Sequence, residues 1–259
     1  MTQQLDLYTR RDSWLHRLDP RTKIGLVAAS FALLLLNDQT LLMLGYLLVV
    51  HILLLHAEVP VTRIAWLWRR MWPVSLTILI LWPLFYRSGQ PVLFEWWHIR
   101  ITLPSMLQGF TSALRIDALA FAALVLLVST DQTRLVQGLV GLGMPYEWGL
   151  TIAISLRYLP LLDGTYRTIT DAQKARGWSP RRSSLLQRAR SYIPTLVALV
   201  IAALRLTDAL TWALAARGFQ PGQPRTSRRP LRLTRADHLG LSVSAILLLF
   251  AMALRILAG

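Results

Sequence analysis

The sequence predicts an all-α membrane protein with about five transmembrane helices and two further long helices on the cytosolic side. Three observations carry that expectation. Of 259 residues, 54% are hydrophobic and only 16% are charged, and the mean hydropathy is +0.44, a membrane protein's balance. The apolar residues come in long runs separated by polar turns. The charge is lopsided: Lys+Arg 28 against Asp+Glu 13 gives +15, most of it in one segment. The absence of cysteine excludes a disulfide framework, thiolate metal sites and thiol nucleophiles.

Arg10, Arg11, Arg17, Arg21 and Lys23 precede the first apolar run and no small-residue cleavage site follows it. The N-terminus therefore reads as a cytosolic start rather than a cleaved signal peptide. Ile24–Leu36 and Leu41–Leu55 flank the polar turn Asn37-Asp38-Gln39-Thr40, a hairpin of two spans. Each run is short of the roughly 20 residues of a full span, so the helices should start near Pro20 and end near Glu58, or cross a thin membrane. Trp72–Phe85 is a third span, with Trp66, Trp68, Trp72 and Trp82 as interfacial anchors and Trp96 and Trp97 at the far interface. Leu107–Val128 and Leu239–Leu257 are the fourth and fifth. The fourth contains Arg115 and Asp117, each costing roughly 2.5–3.5 kcal/mol at a helix centre. Snorkelling near a helix end, or facing a packed bundle, would accommodate them.

Segment 1–23 holds five basic residues, 58–72 holds three (Arg63, Arg69, Arg70) and 131–236 holds sixteen, whereas the 37–40 and 87–106 connections hold only Arg87 and Arg100. The positive-inside rule places the N-terminus, the 58–72 loop and the 131–236 region in the cytosol, and five spans leave the C-terminus outside. With five acidic residues, 131–236 carries a net +11 of the total. Three regions follow: N-terminal transmembrane helices over 1–130, a cytosolic region over 131–236 and a last transmembrane helix over 237–259. The middle region is too long to be a loop and should hold its own structure.

That region reads as two helical arms, Glu147–Arg176 and Ser184–Arg217, with one ending written twice. Ala175-Arg176-Gly177-Trp178-Ser179-Pro180 and Ala216-Arg217-Gly218-Phe219-Gln220-Pro221 share four residues and an aromatic fifth. Tyr158-Leu159-Pro160 and Tyr192-Ile193-Pro194 mark a proline kink upstream in each, so the arms from kink to arginine measure roughly 24 Å and 35 Å. Glycine after a basic residue, with proline beyond, is ordinary C-capping for one copy. Two extended copies, with arginine both times, point to function. Between the kink and the second ending, Ile193–Leu204 is uncharged. It is too short to span a bilayer, but one face could lie at the membrane boundary or on a hydrophobic partner, or pack on the other arm. Ala198, Ala202 and Ala203 permit close helix packing.

Catalysis has little to stand on. His16, His51, His56, His98 and His238 are scattered, and His51 and His56 miss the i, i+4 spacing of a metal pair. No phosphate-binding loop of the form G-x-x-x-x-G-K-[ST] occurs, so ATP hydrolysis would have to come from elsewhere. No catalytic residue, metal or cofactor is expected. Arg181, Arg182, Arg188, Arg190, Arg225, Arg228, Arg229, Arg232 and Arg235 cluster beside helix ends. They suit topology and anionic lipid rather than nucleic acid.

At the paired Ala-Arg-Gly endings the chain resembles the T component, the transmembrane coupling subunit, of energy-coupling factor transporters, the class that includes cobalt, nickel, biotin and vitamin uptake systems. Leu18-Asp19-Pro20-Arg21-Thr22-Lys23, Leu142-Gly143-Met144-Pro145 and Leu156-Arg157-Tyr158-Leu159-Pro160 extend the resemblance over nearly the whole chain. It implies a non-catalytic, multi-pass subunit of a prokaryotic cell membrane whose two long helices are coupling helices. Ala175, Arg176, Gly177, Ala216, Arg217 and Gly218 would engage two ABC ATPase subunits, a homo- or heterodimer. A membrane-embedded substrate-binding S component would topple during transport, and Ile193, Val197, Val200, Ile201 and Leu204 would contact it. A conventional ABC importer permease is the alternative, although such permeases meet their ATPase through one short loop. The substrate site would lie on the S component, leaving vitamin or transition-metal ion open.

Overall fold

Twelve elements follow one another in the described part of the chain: α1 (Trp14–Arg17), α2 (Pro20–Leu36), α3 (Thr40–His56), α4 (Val61–Phe85), β1 (Val92–Trp96), β2 (Ile99–Thr102), α5 (Leu103–Ser129), α6 (Gln132–Gly141), α7 (Tyr146–Ala175), α8 (Leu185–Ser191), α9 (Ile193–Ala216) and α10 (Arg235–Ala258). The structure is a computed structural model that describes residues 14–86, 91–96, 99–178, 185–220, 222–223, 231 and 233–258. It falls into two compact units, one of residues 144–230, the other of the helices before Gly143 and after Leu231. The all-α expectation holds. The antiparallel β1–β2 hairpin, in a stretch expected to be a plain connection, is an addition to it.

The larger unit is organised around α5, which packs on α2, α3 and α4, while α10 lies along α2. Leu34, Met43, Leu54, Ala118, Phe121 and Val128 are almost wholly buried between these helices. Small residues set the closest approaches. A Cβ on Gly109 would stand 3.1 Å from the Trp82 Cβ across the α4–α5 contact, and one on Gly138 would stand 2.8 Å from the Pro20 Cβ across the α6–α2 contact. Helix backbones in a membrane approach this closely only where side chains are small. Segment 132–141, grouped by charge with the arms, thus packs on α2 as α6.

Local chemistry explains the helix ends. Asp19 N-caps α2, its carboxylate accepting the Arg21 N–H at 2.9 Å, with Pro20 in the first turn where its missing N–H costs nothing. Thr102 and Ser105 close a reciprocal capping box on α5. The Asp19-Pro20-Arg21-Thr22-Lys23 run also ties the helices together. The Asp19 N–H donates to Asp237 Oδ1 at 2.6 Å, and Asp237 Oδ2 accepts the Thr234 N–H at 2.8 Å and its hydroxyl at 2.6 Å. Lys23 Nζ, buried, donates at 2.8 Å to the carbonyl of Ser129, the last residue of α5. A cation there satisfies a helix-end carbonyl and the negative end of the dipole.

The two charges inside α5 both find partners. Arg115 donates to Asn37 O at 3.1 Å and pairs with Asp38, and one turn away Thr111 shares a 2.6 Å hydrogen bond with Thr40. The α2–α3 turn is thereby fastened to the middle of α5. Asp117, 3% exposed, accepts the Ser75 hydroxyl of α4 at 2.8 Å. Both therefore face the bundle, one of the two accommodations open to them.

By length and composition, α4, α5, α9 and α10 can each cross a membrane. Three of these match expected spans. Helices α2 and α3 are present but have 17 residues each, about 25 Å at 1.5 Å per residue. For α9 the reading as too short to span, made on uncharged Ile193–Leu204, does not hold for the whole helix: its 24 residues contain an 18-residue window of mean hydropathy 1.8 although Arg205 and Asp208 interrupt the apolar run. Trp68 is a second correction. It is half-buried, its Nε1 donates to His51 Nε2 at 3.0 Å, and its ring packs on Phe121, so it belongs to the α3–α4–α5 core and not to an interface. Trp97 and the side chain of Trp96 lie outside the described residues.

Candidate functional site

The smaller unit carries the repeated endings. Helix α7 takes up the first arm as expected, with Pro160 inside it. The second arm is broken. Ser184 lies outside the described residues, and the helix from Leu185 stops at Ser191 and restarts at Ile193, with Pro194 in the first turn of α9. The two prolines are therefore not equivalent kinks: Pro160 removes a hydrogen bond from a helix interior, whereas Pro194 sits where no bond is due.

The two endings have the same geometry. In the first, the Gly177 N–H donates to Lys174 O at 2.9 Å and the Trp178 N–H to Gln173 O at 3.0 Å; in the second, the Gly218 N–H donates to Ala215 O at 2.9 Å and the Phe219 N–H to Leu214 O at 3.0 Å. Each is a Schellman cap, with glycine at positive φ (+87° for Gly177, +70° for Gly218) and arginine as C-cap. Capping thus accounts for the glycine and for an apolar residue after it. It does not account for the arginine, because the C-cap side chain takes no part in either bond. Arg176 and Arg217 are exposed, as are Ala175 and Ala216, and neither arginine side chain has a hydrogen bond or ion pair among the described residues. Nearby charges are already matched: Arg167 pairs with Asp163 at 2.8 Å and Lys174 with Asp171 at 3.1 Å.

The arms run antiparallel. Trp178, beyond the end of α7, donates its indole N–H to Ser191 O at 2.9 Å and sets its ring edge-on to Tyr192, just before α9. At the opposite end, Glu147 near the start of α7 accepts the Gly222 N–H at 3.2 Å, four residues past Gly218. The two arginines accordingly sit at opposite ends of a helix pair, on the order of 35 Å apart for a helix of α9's length. Two guanidinium groups so placed cannot serve one small ligand. They can engage two separate acceptors on a large partner, each through planar, charge-assisted hydrogen bonds.

Ile193, Val197, Val200, Ile201 and Leu204 all lie on α9 and are all exposed, from 47% to 60%. The reading in which these side chains pack on the other arm fails for this face. Ala198, Ala202 and Ala203, on the other side of the helix, are half-buried.

The chain is 32% identical over 257 residues to the energy-coupling factor transporter transmembrane protein of Lactococcus lactis, covering 95% of each. It is 34% identical over 245 residues to the protein of the same name in Listeria innocua, covering 90% of this chain and 91% of that one. The Clostridium kluyveri counterpart is 28% identical over 265 residues, with 97% and 96% covered. The family model of the cobalt transport protein, CbiQ, matches residues 11–228, which takes in the Asp19–Lys23 knot and both arginine caps. The chain belongs to the CbiQ cobalt transport protein family.

Proposed function

We propose that the chain is the transmembrane coupling subunit of an energy-coupling factor importer, carrying ATP-driven motion from two cytosolic ABC ATPase subunits to a membrane-embedded S component that holds a vitamin or a transition-metal ion. The observation that supports this most is the pair of exposed arginine C-caps at opposite ends of one antiparallel helix pair. In this reading Arg176 and Arg217 each enter a groove of one ATPase subunit, while Ala175, Gly177, Ala216 and Gly218 keep the tips narrow enough to insert. The exposed α9 face of Ile193, Val197, Val200, Ile201 and Leu204 lies along the membrane boundary and meets the S component. The subunit performs no chemistry of its own; its work is mechanical. The distribution of basic residues supports a cytosolic N-terminus, cytosolic arms over 131–236 and a cell-membrane location in a prokaryote.

Affinity purification of the full chain from its native membrane, followed by mass spectrometry, tests the assignment. Two ABC ATPase subunits, identical or distinct, and one small membrane protein should co-purify. A complex with soluble binding proteins and a second permease chain would instead indicate a conventional importer.

A further inference from the structure

We propose that Trp178 is a positioning residue that fixes the span between the two arginine tips by latching the end of α7 to the start of α9, with Glu147 and Gly222 closing the loop at the other end. The inference rests on the coupling role of Arg176 and Arg217 proposed above and adds how their separation is held.

The backbone and side chain of Trp178 do different things. Its N–H completes the Schellman cap at 3.0 Å to Gln173 O, which any residue except proline could do. Its indole reaches across to the other arm, donating at 2.9 Å to Ser191 O and meeting the Tyr192 ring edge-on at 5.3 Å and 73°. Ser191 is the last residue of α8, at the joint where the chain passes into α9, so a bond to its carbonyl ties the end of α7 to the root of the second arm. An aromatic pair plus a hydrogen bond across two helices fixes both distance and orientation.

The far end has a smaller counterpart. Gly222, at φ +77°, turns its N–H towards Glu147 Oε1. Each arginine tip is thus tied to the root of the opposite arm, and the helix pair forms a closed frame. A rigid frame delivers both guanidinium groups at one spacing; an open one lets each tip swing.

The test measures the frame directly. The chain has no cysteine, so Ala172→Cys and Ala215→Cys, at exposed helical positions close to the two tips, carry the only spin labels in full-length protein in lipid nanodiscs. Double electron–electron resonance should give one narrow distance peak. Trp178→Ala should abolish the narrow peak with helix content by circular dichroism unchanged. Trp178→Phe, which keeps the ring but loses the donor, should broaden it partly, and Glu147→Gln, which keeps an acceptor, should leave it as it is. Arg176→Ala should not affect it. An unchanged peak in Trp178→Ala overturns the latch. A broadened peak with undiminished ATP-driven uptake supports the latch and overturns instead the reading of the tips as rigid couplers.

Discussion

Arg176→Ala combined with Arg217→Ala is expected to abolish co-purification of the ATPase subunits while the membrane-embedded helices fold normally. Each side chain is an exposed C-cap without a partner among the described residues, so its removal costs the fold almost nothing. Each docking contact, as a charge-assisted hydrogen bond, should contribute about 1.5–3 kcal/mol. The tips lie on the order of 35 Å apart, well beyond the range of direct coupling, so the losses should add. Either single variant should weaken docking about 10- to 150-fold. Because the two contacts are tethered to one frame, the remaining arginine would still hold a complex at high ATPase concentration. Arg→Lys at either position should fall in between, since the ammonium keeps the charge but not the planar fork. Retention of ATPase by the double variant would reduce the endings to helix caps.

The largest stability effect is expected at Asp237. Its carboxylate, 1% exposed, accepts the Asp19 N–H, the Thr234 N–H and the Thr234 hydroxyl, joining the start of α10 to the start of α2. Asp237→Ala would leave the Asp19 N–H without its acceptor in a closed contact and remove both bonds from Thr234, and the loss should be about 3–5 kcal/mol, the sum of a stranded buried donor and lost hydrogen bonds to a charged group. Asp237→Asn keeps one acceptor and should lose about 1–2 kcal/mol. Thermal unfolding of detergent-solubilised protein distinguishes them: alanine should lower the midpoint by on the order of 10 °C and asparagine by a few degrees. Equal midpoints for wild type and Asp237→Ala would show that α2 and α10 are held by apolar packing alone.

The features read correctly from the sequence are those whose cause is local. The arm endings were legible because a Schellman cap needs glycine at one position and an apolar residue at the next, and the sequence writes that twice. The long apolar helices α4, α5 and α10 were legible because a bilayer selects for length and composition. What failed depended on partners far along the chain. Trp68 looks like an interface anchor until His51 and Phe121 arrive from α3 and α5. The α8–α9 break at Tyr192 was hidden because proline at a first helical turn and proline at a kink are the same letter. Trp178 was read only as half of a repeat. Its second contact, with a residue 13 positions on, exists only once the arms pair. The β1–β2 hairpin left a faint signal in the alternation of Ile99-Arg100-Ile101-Thr102, which the neighbouring apolar runs obscured.

Site-specific photocrosslinking from Ala175 and Ala216 tests the central claim most directly. Both residues are exposed and adjoin the two arginines without being either of them, so a photoreactive amino acid at either position samples the arginine's surroundings while the arginine stays in place. In intact membranes with ATP present, position 175 should crosslink to an ATPase subunit and position 216 to an ATPase subunit, one per tip. With the probe moved to Leu161, exposed and midway along α7, far from both tips, those adducts should disappear. Adducts only to lipid or to the small membrane subunit from both tips would contradict the account, because the arginines would then face the membrane and could not be where ATP-driven motion enters the chain.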